Sequence, residues 1–314
     1  MSTNRPIKVA VVGLGRLGAR HAEVYSKMAG VQLVGVCDTH EDRAQEVADL
    51  CHTKAFTDYR KLLGLIDAAS IVVPSEIHYR LSKNFLENDV HLLIEKPITT
   101  KLSDANKLLA LAKKNRLTIQ VGHIERFNSA IRTIKNMIKN PRFIECQRVG
   151  PYDPRVARTG VTLDLMIHDI DIVLDLVKAP IKSVESVGAF ILSETEDIAN
   201  ARIHFGGNIV CDLTASRMSA EVTRKIRIFQ DNAYISMDYV KQEAFIHTKK
   251  NGRLHQQKID ITRQDSLKAE LSDFVDCIRH KKKPLVSGEE GRDALALALR
   301  ITNQIKKESN YIKY

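Results

Sequence analysis

The chain has 314 residues, 44% hydrophobic and 27% charged, with a formal net charge of +10; this excludes a disordered or fibrous chain and allows two domains of ordinary size. No apolar stretch reaches the ~20 residues that span a bilayer, and MSTNRPIKVAVVG runs straight into a strand pattern without the apolar segment and cleavage site of a secretion signal. Cys37, Cys51, Cys146, Cys211 and Cys277 are scattered and form no C-x-x-C pair, so reduced, buried thiols in a cytoplasmic protein are expected.

The first 120 residues alternate valine- and isoleucine-rich runs with helical patterns, the signature of βαβ units around a parallel sheet. Strands are predicted at Ile7–Val12, Gln32–Cys37, Ala69–Val73, His91–Ile94 and Thr118–Val121. The first runs into Gly13-Leu14-Gly15-Arg16-Leu17-Gly18 and then the helical stretch Ala19-Arg20-His21-Ala22. This is G-x-G-x-x-G between a strand and a helix. Its first glycine permits the tight turn, its second the approach of a pyrophosphate, and its third close helix–strand packing. Free N–H groups at the helix start then face the phosphates.

The second strand ends in Asp38, about 20 residues beyond Gly18, where a carboxylate binds a ribose 2′-hydroxyl and repels a 2′-phosphate. NAD is therefore expected over NADP, although Arg43 lies near enough in sequence to keep NADP open. The fourth strand stops on Glu95-Lys96-Pro97. Strand tips of an open α/β sheet are where ligands sit, and they are also where charges reach water. Pro97 biases Lys96 away from helical geometry, and an X-Pro bond can be cis. A lysine held near NAD⁺ can bind a substrate hydroxyl and lower its pKa; the alternative is a charged pair facing solvent.

Beyond residue 125 the texture changes. Helical patterns near 128–139 and 164–177 precede alternating strands at Ser183–Leu192, Ala199–Phe205, Asn208–Ala215, Lys225–Gln230, Tyr234–Tyr239 and Ala244–Lys249, with turn signals at Asp231-Asn232 and Asn251-Gly252. Helices at 266–280 and 290–307 close the chain. The expected fold is α/β: a doubly wound parallel sheet over 1–124, then an α+β domain over 125–314 on a largely antiparallel sheet.

Within TLDLMIHDIDIVLDLV, Thr162–Val177, the polar residues Asp164, His168, Asp171 and Asp175 make one helical stripe. His168 is a candidate general base, with Asp164 one turn away to orient it; a satisfied core histidine is the competing reading. The D-x-x-x-H pair lacks an evident third ligand, so no metal is expected. Lys281-Lys282-Lys283 follows a helix and precedes Pro284, where cations complement the helix dipole. No stacking aromatics interleave with these lysines, which argues against nucleic acid.

G-x-G-x-x-G, then Glu95-Lys96-Pro97, then Asp164 and His168, with PLVSGEEGRDALALAL near the end, together resemble the Gfo/Idh/MocA family of NAD(P)-dependent oxidoreductases. The resemblance covers essentially the whole chain. It implies a Rossmann domain, a second domain with an open antiparallel sheet, a homo-oligomer (dimer or tetramer), and action on sugars, nucleotide sugars or polyols. VGHIERFNSAI and LDLMIHDIDIVL look like the UDP-N-acetylglucosamine 3-dehydrogenase subgroup, in which a C3 hydroxyl is oxidised so that a PLP aminotransferase can install nitrogen for lipid A or O-antigen sugars. Ser129 stands where the subgroup has proline. By resemblance Lys96 and His168 are the catalytic pair with Asp164 beside them. Glu95 and Pro97 frame the nicotinamide, Ser75 and His78 border the cofactor, and Arg126 and Asn128 lie toward the substrate. A free polyol such as inositol, and a non-catalytic NAD-sensing regulator, are the alternatives.

Overall fold

The structure, a computed structural model, describes residues 5–154 and 158–310. β1 (Ile7–Val12), β2 (Val31–Cys37), β3 (Lys54–Phe56), β4 (Ala68–Ile71), β5 (His91–Glu95) and β6 (Ile119–Gly122) form a sheet in the order β3-β2-β1-β4-β5-β6. Every neighbouring pair is parallel. The winding reverses between β1 and β4, so a ligand crevice is expected at the carboxyl ends of those strands. α1 (Arg16–Ser26), α2 (Glu41–Cys51), α3 (His78–Glu87) and α4 (Leu102–Asn115) supply the crossovers. α1 buries Gly18, His21, Ala22 and Tyr25, the spacing of one helical face.

After residue 124 come α5 (Ser129–Lys135), β7 (Pro141–Val149) and α6 (Ile167–Leu176), the last entered through a π-turn at Thr162–Met166. β8 (Ile181–Ala189), β9 (Ile198–Phe205), β10 (Val210–Ser216), β11 (Thr223–Gln230), β12 (Ala233–Asp238), β13 (Glu243–Lys250) and β14 (Arg253–Ile259) follow, then α7 (Ser266–His280) and α8 (Gly288–Asn310). β7 to β14 form one sheet, β14-β13-β12-β11-β7-β10-β9-β8. Its neighbours are antiparallel except β7 and β10. One face buries Ile144, Cys146, Leu213, Ile226 and Ile235 in a core shared with Ile170 and Val173 of α6 and Leu297 and Ile301 of α8. The aromatic row Phe143, Phe229, Tyr234 and His247 crosses four adjacent strands, with ring centroids 5.7, 4.7 and 4.7 Å apart. Phe229 in that row is 37% exposed.

The chain separates into two compact units, Met1–Ile124 with Asp265–Arg292, and Glu125–Gln264 with Asp293–Tyr314. The expected second domain, 125–314, thus gives up α7 to the first unit. The reason is its apolar stripe: Leu267, Leu271, Phe274 and Val275 complete the core formed by Val9, Val11, Ala22 and Tyr25. Burying such side chains stabilises by roughly 1.5–3 kcal/mol each. Three strands escaped the sequence reading. β3 is only three residues long, β14 is exposed except for Ile259, and β7 hides its alternation by burying the guanidinium of Arg148.

Candidate active site

The turn after β1 has the backbone its glycines allow. Gly13 sits at φ +90°, and a Cβ there would run into the Val72 carbonyl beyond β4. At Gly18 a Cβ would strike the Gly13 carbonyl, so α1 lies tight against the turn. Gly15 faces open space, with nothing within 4 Å of a Cβ position. That vacant approach, at the N-cap of a helix with no side-chain cap and no acidic residue in its first turn, suits a pyrophosphate. Arg16 and Leu17 are exposed beside it.

Asp38 ends β2 with its carboxylate buried. Oδ2 accepts from the main-chain N of Leu14 at 2.8 Å and Oδ1 from that of His40 at 3.0 Å, while Arg43 Nη1 lies 3.3 Å from Oδ2. Burial pushes the carboxyl up, but these hydrogen bonds together with the Arg43 charge outweigh it and hold the pKa below the usual carboxylate range. An ionised carboxylate has about four acceptor sites, and the exposed side chains of His40, with Nδ1 at 3.2 Å from Oδ1, and Arg43 fill the outer ones, so a ribose hydroxyl would take the place of one of these contacts. Gly13, Gly15, Asp38 and Arg43 line one cavity of about 610 Å³, within the range of a ligand site. The residues fit NAD.

β5 delivers Glu95, Lys96 and Pro97 to the same sheet edge, since β1, β4 and β5 run parallel. Glu95 and Lys96 are half-buried and Pro97 is buried, and the Lys96–Pro97 bond is cis. Ser75 opens a short 3-10 turn beyond β4. His78 proves to be a clamp: Nδ1 lies 2.9 Å from the Pro97 carbonyl oxygen and Nε2 2.9 Å from that of Val73. Two carbonyl acceptors favour a doubly protonated ring, yet burial is the larger influence and lowers the His78 pKa. The neutral ring then donates to one carbonyl at a time.

In the second unit, Asp164 lies in the π-turn and His168 in the first turn of α6, both half-buried. Glu196, which no sequence pattern flagged, anchors that turn. Its main-chain oxygen accepts from Val161 N at 3.0 Å and its Oε1 from Thr162 N at 3.3 Å. Gly160 makes room for it, because a Cβ there would collide with the Glu196 carboxylate.

The rest of the expected polar stripe turns inward. Asp171 and Asp175 are buried with Arg126, at 3.4 and 3.0 Å. Burial pushes Asp175 up, but the Lys135 hydrogen bond and the Arg126 charge leave it low. Arg126, expected toward the substrate, therefore secures α6, and Asn128 caps α5 by accepting from Ala130 N at 3.0 Å. Arg148 similarly holds Asp169 through two 2.9 Å hydrogen bonds and Glu125 through one of 3.0 Å.

Residues 7–123 match the model of an oxidoreductase family with an NAD-binding Rossmann fold, and residues 131–236 match a GFO/IDH/MocA C-terminal domain. The UDP-N-acetylglucosamine 3-dehydrogenase of Acidithiobacillus ferrooxidans is 33% identical over 94% of this chain and 96% of its own. Its solved structure superposes with a TM-score of 0.91, covering 96% of this chain and 98% of that one. Myo-inositol 2-dehydrogenase of Thermotoga maritima is 24% identical over 96% of this chain and 97% of its own. The scyllo-inositol dehydrogenase of Lactobacillus casei, solved with NAD(H) and scyllo-inositol, shares the fold at TM-score 0.82 and 20% identity, covering 97% and 98% of the two chains.

Proposed function

Because this chain belongs to the Gfo/Idh/MocA family of oxidoreductases, we propose that it oxidises a sugar hydroxyl with NAD⁺, at C3 of a UDP-N-acetylated sugar such as UDP-N-acetylglucosamine. The observation that carries the reading is the common sheet edge of the glycine turn, Asp38 and Glu95-Lys96-Pro97. The 33%-identical relative supports the nucleotide sugar.

NAD⁺, when bound, supplies the hydride acceptor. Asp38 holds the adenosine ribose, and Gly15 with the start of α1 holds the pyrophosphate. Lys96 hydrogen-bonds the reacting oxygen and stabilises the alkoxide as its proton leaves. His168 takes that proton, and Asp164 orients the imidazole. Arg126 and Asn128 act on the substrate side through α6 and α5, which they fix, and the products are a ketone, NADH and a proton. The ketone suits a PLP aminotransferase, and that coupling is the basis for proposing a cytoplasmic role in the synthesis of lipid A or a cell-envelope polysaccharide. The aromatic row on the open sheet face suits a homo-oligomer, since apolar patches of this kind mark association surfaces.

The test is to incubate the protein with UDP-N-acetylglucosamine and NAD⁺, follow NADH absorbance, and add a glutamate-dependent aminotransferase to trap the ketone. NADH and an amino sugar are expected; neither forming defeats the reading. A parallel reaction with myo-inositol addresses the second reading, a free polyol substrate, which the inositol dehydrogenase relative favours.

A further inference from the structure

We propose that His21 is a positioning residue for Lys96, acting through Glu95; the inference deepens the reading of Lys96 as the group on the reacting oxygen and rests on it. His21 lies on α1, three residues beyond Gly18, and is fully buried. Its Nε2 stands 3.5 Å from Glu95 Oε1, an ion-pair distance and not an aligned hydrogen bond. One side-chain nitrogen of His21 and one carboxylate oxygen each of Glu95 and Glu270 of α7 lie within 4.8 Å of one another. Two carboxylates so close, one fully buried and one half-buried, repel unless a proton or a cation stands between them. The imidazole supplies an N–H for that place.

The other oxygen of Glu95, Oε2, lies 3.3 Å from the main-chain N of Lys96. One carboxylate therefore joins the helix that starts at the phosphate-binding turn to the peptide that roots the lysine. Its space is prepared. Gly122 pairs with Glu95 across β5 and β6, and a Cβ on it would come 2.7 Å from Glu95 Oε1. Gln120, two residues earlier on β6, donates Nε2 to the Glu270 main-chain oxygen at 2.9 Å and so fixes α7 beside the cluster. Without the imidazole, Glu95 is pushed from Glu270, and the Lys96 root moves with it. A displacement of about 1 Å at a reacting group costs roughly 100-fold in rate.

The experiment compares the full-length wild type with His21→Leu, His21→Gln, and His21→Leu combined with Glu270→Gln. Steady-state kinetics use UDP-N-acetylglucosamine and NAD⁺; NADH affinity, thermal midpoint and zinc content are measured alongside. His21→Leu should lower kcat roughly 10- to 100-fold while NADH affinity stays within about threefold. His21→Gln, which puts an amide N–H near the place of Nε2, should recover most of that rate. Glu270→Gln added to His21→Leu should restore several degrees of lost thermal midpoint by removing one of the opposed charges. Wild-type kcat in His21→Leu, or equal losses in the Leu and Gln variants, overturns the proposal. So does stoichiometric zinc that His21→Leu abolishes, which would make the cluster a metal site. A wild type that oxidises no substrate defeats the proposed reaction instead, and the thermal comparison still decides whether His21 separates the two carboxylates.

Discussion

Oδ2 of Asp38 accepts a hydrogen bond at 2.8 Å from the main-chain N of Leu14, so the residue expected to read the ribose also fastens the glycine turn. In the proposed reading, cofactor choice and loop geometry share one side chain. Asp38→Ala should weaken NAD⁺ binding at least about tenfold and lower the thermal midpoint even without cofactor, as a hydrogen bond to a charged group contributes about 1.5–3 kcal/mol. Titration by NADH fluorescence and apo melting measure the two effects. An unchanged apo midpoint would show that the Leu14 tether is energetically idle.

The glycines of the turn should separate by role. Gly13→Ala places a side chain at φ +90° and against the Val72 carbonyl, so it should destabilise the apo protein by about 1–3 kcal/mol. Gly15, at φ −62° with open space around it, should accept alanine with little loss of stability and a marked loss of NAD⁺ affinity. Urea melts and cofactor titrations of both variants check the contrast.

Two histidines, His78 buried and His91 half-buried, set an acid limit on stability. Burial lowers the pKa of both His78 and His91, and His91 Nδ1 accepts from Thr118 N at 2.9 Å. Their folded pKa values lie below the unfolded value of about 6.5, so protons favour the unfolded chain. Full stability is present above about pH 6.5 and falls as pH drops through the folded values, by up to about 1.4 kcal/mol per pH unit for each group. Urea midpoints at pH 7.5 and pH 5 should differ less in His78→Gln than in wild type.

Arg126 faces two buried carboxylates, and removing it leaves Asp171 and Asp175 opposed. Arg126→Met should cost about 3 kcal/mol or more, the range for breaking a buried pair, although Lys135 and Lys178 still contact Asp175. Chemical denaturation measures it. A loss below about 1 kcal/mol would return Arg126 to the role of a spare substrate-facing cation.

Lys96→Met keeps most of the side-chain volume and removes the ammonium. Turnover should fall to background while NADH affinity changes by less than about threefold, because the proposed cofactor grips are the glycine turn and Asp38. Near-normal turnover in this variant would discard the lysine assignment.

The first sheet was legible because parallel strands buried on both faces read as unbroken apolar runs; β1 lies at Ile7–Val12, as its sequence predicts. β14 was not legible because an edge strand with six exposed residues carries no apolar alternation. At the candidate site, the residues with a motif around them were readable: Gly13, Asp38, Lys96 and His168. The contacts of His21, His78 and Glu196 were hidden because they depend on tertiary partners, such as the Pro97 carbonyl, that no local spacing announces. The ion pairs of Arg126 were hidden for the same reason: a lone cation in sequence says nothing about two aspartates 45 and 49 residues away.

Because Leu267, Leu271 and Phe274 complete a core begun at Val9, a ribosome making this protein releases the cofactor-binding half before the piece that finishes it exists. At ~5–20 residues per second, the intervening stretch keeps that half-built surface waiting on the order of ten seconds. A nascent chain paused anywhere between Glu125 and Gln264 should be a chaperone client and protease-sensitive, and should become resistant once α7 leaves the exit tunnel.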